Sequence, residues 1–273
     1  MAKKKKQSLG LGRWILILIC LIVFCACAYQ VLSYVLDKIH AENDFKEIRE
    51  SARDLSELYE QNHDLIGWVQ IKDTKIDYPV MQTPTDPEFY LHRDFEGEDS
   101  ASGTPFLDAA SVVMPRPITP DDQVYGQYYD ESTGEPQMLQ VTWNWLIYGH
   151  NMKMGTMFAG LQKYDDPEFW EGHKTFTFDV YDPGTGVTDN GVYEIFAVSR
   201  SKIRTDDSNA FQYYQYAGYI DETTFQDFVA GVKAESSYDT GVTPVFGDQI
   251  VTLSTCAYHT NEGRFYICGR RIE

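Results

Sequence analysis

Positive charge is scarce in this sequence. Its 273 residues hold 23 Lys and Arg against 41 Asp and Glu, a net charge of −18. What there is clusters at the start. Lys3, Lys4, Lys5, Lys6 and Arg13 stand among the first 13 residues with no acid, which leaves −23 on the rest. So acidic a body argues against nucleic acid as a partner, because binding a phosphate backbone requires cations that displace its counterions. Cysteine is scarce too, with 5 in all. Cys20, Cys25 and Cys27 fall in one apolar run, and only Cys256 and Cys268 lie in the body. No Cys/His spacing or acidic cluster suggests a metal, no glycine-rich loop suggests phosphate binding, and no cofactor is implied. Internal repeats and low-complexity tracts are absent. Hydrophobic residues at 43% and charged residues at 23% rule out wholesale disorder.

The sequence does have one long apolar run. From Trp14 to Tyr29 it reads WILILICLIVFCACAY without a charged residue, and the uncharged stretch continues to Leu36. Residues 14–36 are long enough to cross a bilayer core of about 30 Å. The basic cluster before the run and Asp37 after it predict a cytoplasmic tail over 1–13, a transmembrane signal-anchor over 14–36 and an extracellular body. A cleavable signal peptide is the alternative, with Ala26-Cys27-Ala28 as its cleavage site, but apolar residues continue past that point.

Residues 37–64 read as an N-terminal helical segment. Within it, His40–Asn62 carries Phe45, Ile48, Ala52, Leu55 and Leu58 at helical steps. From residue 65 to 273 short strand signals dominate. LIGWVQI, IDYPVMQ, FYLHRDF and GTPFLD come first, and VTWNWLIYG ends at His150. Thr156–Tyr164 suggests a short helix, and Asp166-Pro167-Glu168 a helix start. KTFTFDVYD and GVYEIFAVSR flank Pro183-Gly184 as a hairpin, Asp221–Ala234 has a helical pattern, and two strands close the chain. Residues 113–140 are rich in Pro, Gly and Asp and read as an irregular insertion, with at most one short hairpin. The predicted class is mainly β with α excursions, a closed barrel or sandwich.

The last two strands bear on the thiols. In an exported protein two cysteines suggest a disulfide. If VTLSTC and RFYICG pair as a hairpin, however, Cys256 stands opposite Arg264 and not Cys268. An offset of roughly four residues at about 3.4 Å each exceeds the ~7 Å that a bridge allows. Cys256 is then a free thiol.

Three residues form a candidate catalytic set: His150 in LIYGHNM, Cys256 in TLSTC and Arg264 in EGR. A thiol nucleophile must lose its proton and a leaving amine must gain one, and a nearby imidazole serves both needs. A cationic Arg favours the thiolate and steadies a developing oxyanion. His259, three positions after Cys256, is an alternative acid/base group. His40, His63, His92 and His173 read as surface or core residues.

The pairing of TLSTC with an Arg eight residues on, behind an upstream YGHNM, resembles the sortase signature. LIGWVQIKDTKIDYPVMQ, FYLHRDFEG, SGTPFLD, LIYGHNMKMGTMF and VTLSTC, in that order and spacing, resemble class B sortases in particular. The resemblance covers roughly residues 14–273. It implies a sortase β-barrel of about eight strands with N-terminal helices and an extra helix before the Cys strand. It implies a cysteine transpeptidase in which Cys256 attacks the Thr carbonyl of a C-terminal sorting signal on a surface protein. The thioester would pass to an amine, typically of the peptidoglycan cross-bridge. His150 would be the acid and base, and Arg264 the oxyanion and substrate ligand. Leu91, Ile203 and Ser254 match substrate-binding positions. Two features depart from the pattern: the 113–140 insertion is longer, and Thr85-Asp86-Pro87 stands where an Asn is expected. The alternatives are a pilin-polymerising sortase using a pilin Lys, a non-catalytic extracellular binding domain, and a hydrolytic cysteine protease.

Overall fold

The apolar run lies within one helix. The computed structural model describes residues 11–50, 54–117, 138–203, 211–218, 221–257 and 262–273. Lys3, Lys4, Lys5 and Lys6, most of the 113–140 insertion, and His259 lie outside the described residues. Helix α1 (Leu11–Glu50) runs for 40 residues, about 60 Å at 1.5 Å per residue. Its Gly12–Ser33 segment, 22 residues of mean hydropathy 2.8, is long and apolar enough to cross a membrane and is not buried by the rest of the chain. Nearer its C-terminal end, Phe45 and Ile48 are buried, and Phe45 meets Tyr78 edge-to-face at 5.3 Å.

The expected helix over His40–Asn62 is two helices. α1 ends at Glu50, and α2 (Leu55–Gln61) starts afresh at Asp54. The Asp54 carboxylate accepts from the Ser56 amide at 2.9 Å and the Ser56 hydroxyl at 2.6 Å. A capping Asp satisfies the free amides of a new first turn, which favours an extended backbone at that residue over helix continuation.

Then the barrel strands begin. β1 (Leu65–Gln70) and β2 (Asp77–Met81) pair antiparallel across a tight turn. FYLHRDF, expected as a strand, instead holds a 3-10 turn over Phe89–His92. Its period is set by three-residue backbone bonds: the Phe89 amide donates to Asp86 at 3.0 Å and the Leu91 amide to Glu88 at 2.9 Å. Tyr90 is buried beneath, its hydroxyl donating to Asp64 at 2.9 Å and accepting from Asn62 at 2.8 Å. β3 (Phe106–Leu107) follows. β4 (Arg116–Pro117) and β5 (Met138–Leu139) pair antiparallel at the base of the insertion. After β6 (Asn144–Tyr148), the expected helix at Thr156–Tyr164 is a 3-10 helix over Phe158–Asp165. α3 (Pro167–Gly172) is capped by Asp166, as its sequence signature indicates.

β7 (Thr175–Asp182) and β8 (Val187–Lys202) form the expected hairpin, with the Asp182 carboxylate accepting from the Gly184 amide at 2.8 Å. α4 (Glu222–Glu235) precedes β9 (Ile250–Cys256) and β10 (Gly263–Arg271). The order β1-β2-β3-β6-β9-β10-β8-β7 closes on itself through β1 and β7, an eight-stranded barrel. β2–β3 and β6–β9 are its parallel pairs.

Alternation along the strands sorts side chains to two faces. Val251, Leu253, Phe265 and Ile267 enter the main core with Val69, Ile147 and Phe178. Their neighbours Ile250, Tyr266 and Cys268 face outward into a second layer, under Phe225, Phe228, Val229 and Val232 of α4. At about 1.5–3 kcal/mol for each large apolar side chain removed from water, both layers hold β9 and β10 in register. Cys256, Ser254, Arg264 and Tyr266 share the outward face.

Candidate active site

The site forms where β6 and β9 end. The two strands pair in parallel with Tyr148 beside Ser254. Two residues further on come His150 and Cys256, which line the same cleft. Three bonds tie these ends together. The Gly149 amide donates to the Ser254 carbonyl at 3.1 Å, the Thr255 hydroxyl to the Gly149 carbonyl at 2.6 Å, and the Asn151 side-chain amide to the Cys256 carbonyl at 2.7 Å. On the other side, β10 pairs Arg264 with Cys256, the register expected of the hairpin. Cys256 is a free, half-buried thiol. Cys268 pairs with Thr252 instead, is buried, and its thiol is pushed up to about 12 by burial.

His150, Cys256, Arg264, Leu91, Ile203 and Ser254 all line one cleft of about 330 Å³. Ser254 is fully buried at its floor, and its hydroxyl is hydrogen-bonded to Tyr213 at 2.7 Å. Leu91 contributes more than a side chain. His150 Nε2 lies 2.7 Å from the Leu91 carbonyl oxygen. A carbonyl only accepts, so Nε2 carries a proton, and Nδ1 is the nitrogen left to exchange one with the thiol or an amine. Burial holds the imidazole below its ordinary value of 6.5, against the Leu91 bond, which favours the charged form, and the neighbouring His92 acts in the same downward direction.

Four residues in or beside the cleft were not singled out from the sequence. Tyr148 donates its hydroxyl to Asp108 at 3.0 Å. Burial raises Asp108 above the usual carboxylate range, and burial with the Asp108 charge raises Tyr148 well above the usual phenol range. Both stand inside quoted motifs, LIYGHNM and FLD, so a signal was present. Asn151, also in LIYGHNM, fixes the Cys256 carbonyl. Tyr213 stacks on Tyr266 at 4.0 Å behind Ser254, and nothing in its local sequence marks it. Among the described residues no group of three or more His, Cys, Asp or Glu is arranged to hold a metal ion.

A half-buried thiol at a strand end, an imidazole with one free nitrogen in the same cleft, and a guanidinium across the hairpin are the kinds of group that cysteine-type acyl transfer requires. No family model matches the chain. Among curated proteins, "Sortase B" of Listeria monocytogenes is 34% identical over 228 residues, which is 83% of this chain and 76% of that protein. In fold the chain is similar to a Staphylococcus aureus sortase B–substrate complex, with a TM-score of 0.66 at 21% identity over 87% of this chain and 99% of that one. It is likewise similar to a sortase B complexed with triglycine, with a TM-score of 0.62 at 22% identity over 85% of this chain and 94% of that one. The chain belongs to the class B sortases and is a cysteine transpeptidase. That sets aside the reading as a non-catalytic binding domain.

Proposed function

We propose that this enzyme cleaves a C-terminal sorting signal after Thr and transfers the protein to an amine of the peptidoglycan cross-bridge, with His150, Cys256 and Arg264 as its catalytic residues. The observation that carries the reading is the β6–β9 register, which supports His150 acting on Cys256. His150 Nδ1 takes the thiol proton. The thiolate sulfur attacks the Thr carbonyl carbon, and the oxyanion forms against the Arg264 guanidinium. When the peptide C–N bond breaks, the imidazolium returns its proton to the departing amine and a thioester remains. An incoming amine then attacks the thioester carbon and gives its proton to the neutral imidazole, and Cys256 leaves as thiolate. Leu91, Ile203 and Ser254 bound the substrate groove. The amine acceptor is consistent with a relative that binds triglycine, a peptide with a free amino end, and the sorting peptide with a relative solved as a substrate complex.

The apolar part of α1 anchors the enzyme, with residues 1–13 cytoplasmic and the barrel outside. Its length, its exposure and the basic cluster before it support that orientation.

The test is intact-mass spectrometry of the full chain in detergent with peptides varied around Asn/Ser-Pro-x-Thr-x, with and without amines. An acyl adduct that is lost in Cys256→Ala, with cleavage after Thr, is the expected result. Activity in the thiol-free variant would overturn the assignment. Turnover on a pilin Lys but not on cross-bridge peptides would move the acceptor to the pilin class.

A further inference from the structure

The FYLH turn brings a second imidazole to the site. His92 and His150 stack with ring centroids 5.8 Å apart and planes inclined by 26°. His92 is exposed, and its backbone carbonyl accepts from the Ser100 amide at 3.0 Å, which fixes the turn beneath it. The imidazole of His150 is thus held on two sides by adjacent residues of one 3-10 turn. The Leu91 carbonyl lies against its Nε2–H, and the His92 ring lies against its face.

We propose that His92 is a positioning residue that orients the His150 ring and sets the pH at which it takes up a proton. The proposal rests on the reading of His150 as the acid/base group. A positive charge on a ring stacked 5.8 Å away repels a second one, so charge on His92 disfavours charge on the more buried His150 ring. The other charge-bearing groups around His150 are accounted for. Glu88 on the same turn, Asp108 with Tyr148 on the β3–β6 side, Cys256 of β9 and Arg264 of β10 line the cleft. Lys153 on the following loop is exposed. Arg93, next to His92, is turned to Asp99 at 2.8 Å. Among the described residues, His92 is the imidazole whose ring stacks on that of His150. The consequence is functional. A neutral His150 accepts a proton from the thiol and from the incoming amine, whereas an imidazolium formed too early does neither.

The test is NMR titration of the full chain in detergent micelles, labelled with 15N-histidine, alongside the pH profile of kcat/KM. His92→Phe keeps an aromatic face without charge, and His92→Gln removes both ring and charge. Both are expected to raise the His150 titration midpoint by about half a pH unit, the effect of one charge at this separation in water-like surroundings. The acid limb of kcat/KM is expected to move up with it, and salt at a Debye length of about 4 Å to shrink the shift. His92→Lys, which retains a positive charge, is expected to keep the midpoint low. An unchanged His150 midpoint in the Phe and Gln variants overturns the proposal. His150→Ala tests the underlying reading separately: acyl transfer surviving in that variant removes His150 from the chemistry, while the NMR midpoint still decides what His92 does to it.

Discussion

Gly149 is the most sensitive point in the site, and a single methyl group tests it. A Cβ built there would stand 2.6 Å from Phe158 Cγ and 2.7 Å from Phe158 Cδ2. An ordinary carbon–carbon contact is about 3.5 Å, so the gap must open by about 1 Å. Phe158 has little freedom to retreat. It is wholly buried in the main core, and its own amide donates to the His150 carbonyl at 2.9 Å. The strain therefore falls on the segment that carries His150, whose hold on β9 runs through the Gly149 amide and carbonyl. Overpacking of this kind costs about 1–3 kcal/mol, and a shift of about 1 Å between reacting groups costs on the order of 100-fold in rate. Gly149→Ala is thus expected to lower Tm by several degrees, at about 2–4 °C per kcal/mol for a domain of this size. It is expected to cut acyl transfer far more than that loss of stability explains. Two assays separate the effects: thermal unfolding, and the rate of thioester formation on a sorting peptide well below Tm. Iodoacetamide labelling of Cys256 shows whether its thiol remains accessible. Full acyl-transfer activity in a folded Gly149→Ala protein would refute the argument that His150 is placed through this contact.

Other outcomes follow from the same geometry. Iodoacetamide is expected to label Cys256 and spare Cys268 in the native protein, and to label both in denaturant, because the Cys268 thiol is buried and pushed up to about 12; peptide mass mapping reads the difference. Tyr213→Phe and Ser254→Ala each leave a buried hydroxyl without its partner and should cost about 1–3 kcal/mol, while the double variant should cost less than their sum; urea unfolding measures the cycle. Arg264→Lys retains the charge but loses the planar fork, and should lower kcat by about 100-fold or more with less change in KM; steady-state kinetics would contradict this if KM alone changed. His150 is held below 6.5 in the folded state by burial. As pH falls through that value the unfolded chain therefore binds the extra proton first, and stability is lost; urea midpoints measured from neutral to mildly acidic pH should fall less steeply in His150→Gln than in the parent.

How far the site was legible depends on how local its parts are. The Cys256–Arg264 pairing follows from one hairpin, whose two strands alternate on either side of a short polar loop. Once the two strands pair across that loop, counting outward from it puts the two residues opposite each other and keeps Cys268 away. The approach of His150 to Cys256 needs the parallel β6–β9 pair, which joins segments far apart in the chain, and no local pattern specifies which strands neighbour each other. Family resemblance supplied that link. FYLHRDF departs from its strand pattern for a different reason. Its apolar and aromatic residues fit a strand, but Pro87 lacks an amide and the Asp86 and Glu88 carbonyls take the amides three residues on. Hydrogen-bond competition of this kind outweighs propensity in short segments.

That turn explains why the N-terminal helices matter to a site they do not enter. Asn62, at the C-terminal end of α2, and Asp64, one residue before β1, both bond the Tyr90 hydroxyl. Tyr90 is buried between the residues that follow α2 and the barrel wall, so the 3-10 turn cannot shift without breaking two buried polar contacts. Leu91 is next in the chain, and its carbonyl holds the imidazole of His150. A mechanical line thus runs from the end of α2 through Tyr90 and Leu91 to the His150 ring, while a second runs from the α4 layer through the β9–β10 register to the Cys256 thiol. The cleft opens between the two. In such an arrangement the relative placement of imidazole and thiol is set by two separate packing layers outside the barrel core, joined through the β6–β9 pair of the closed sheet.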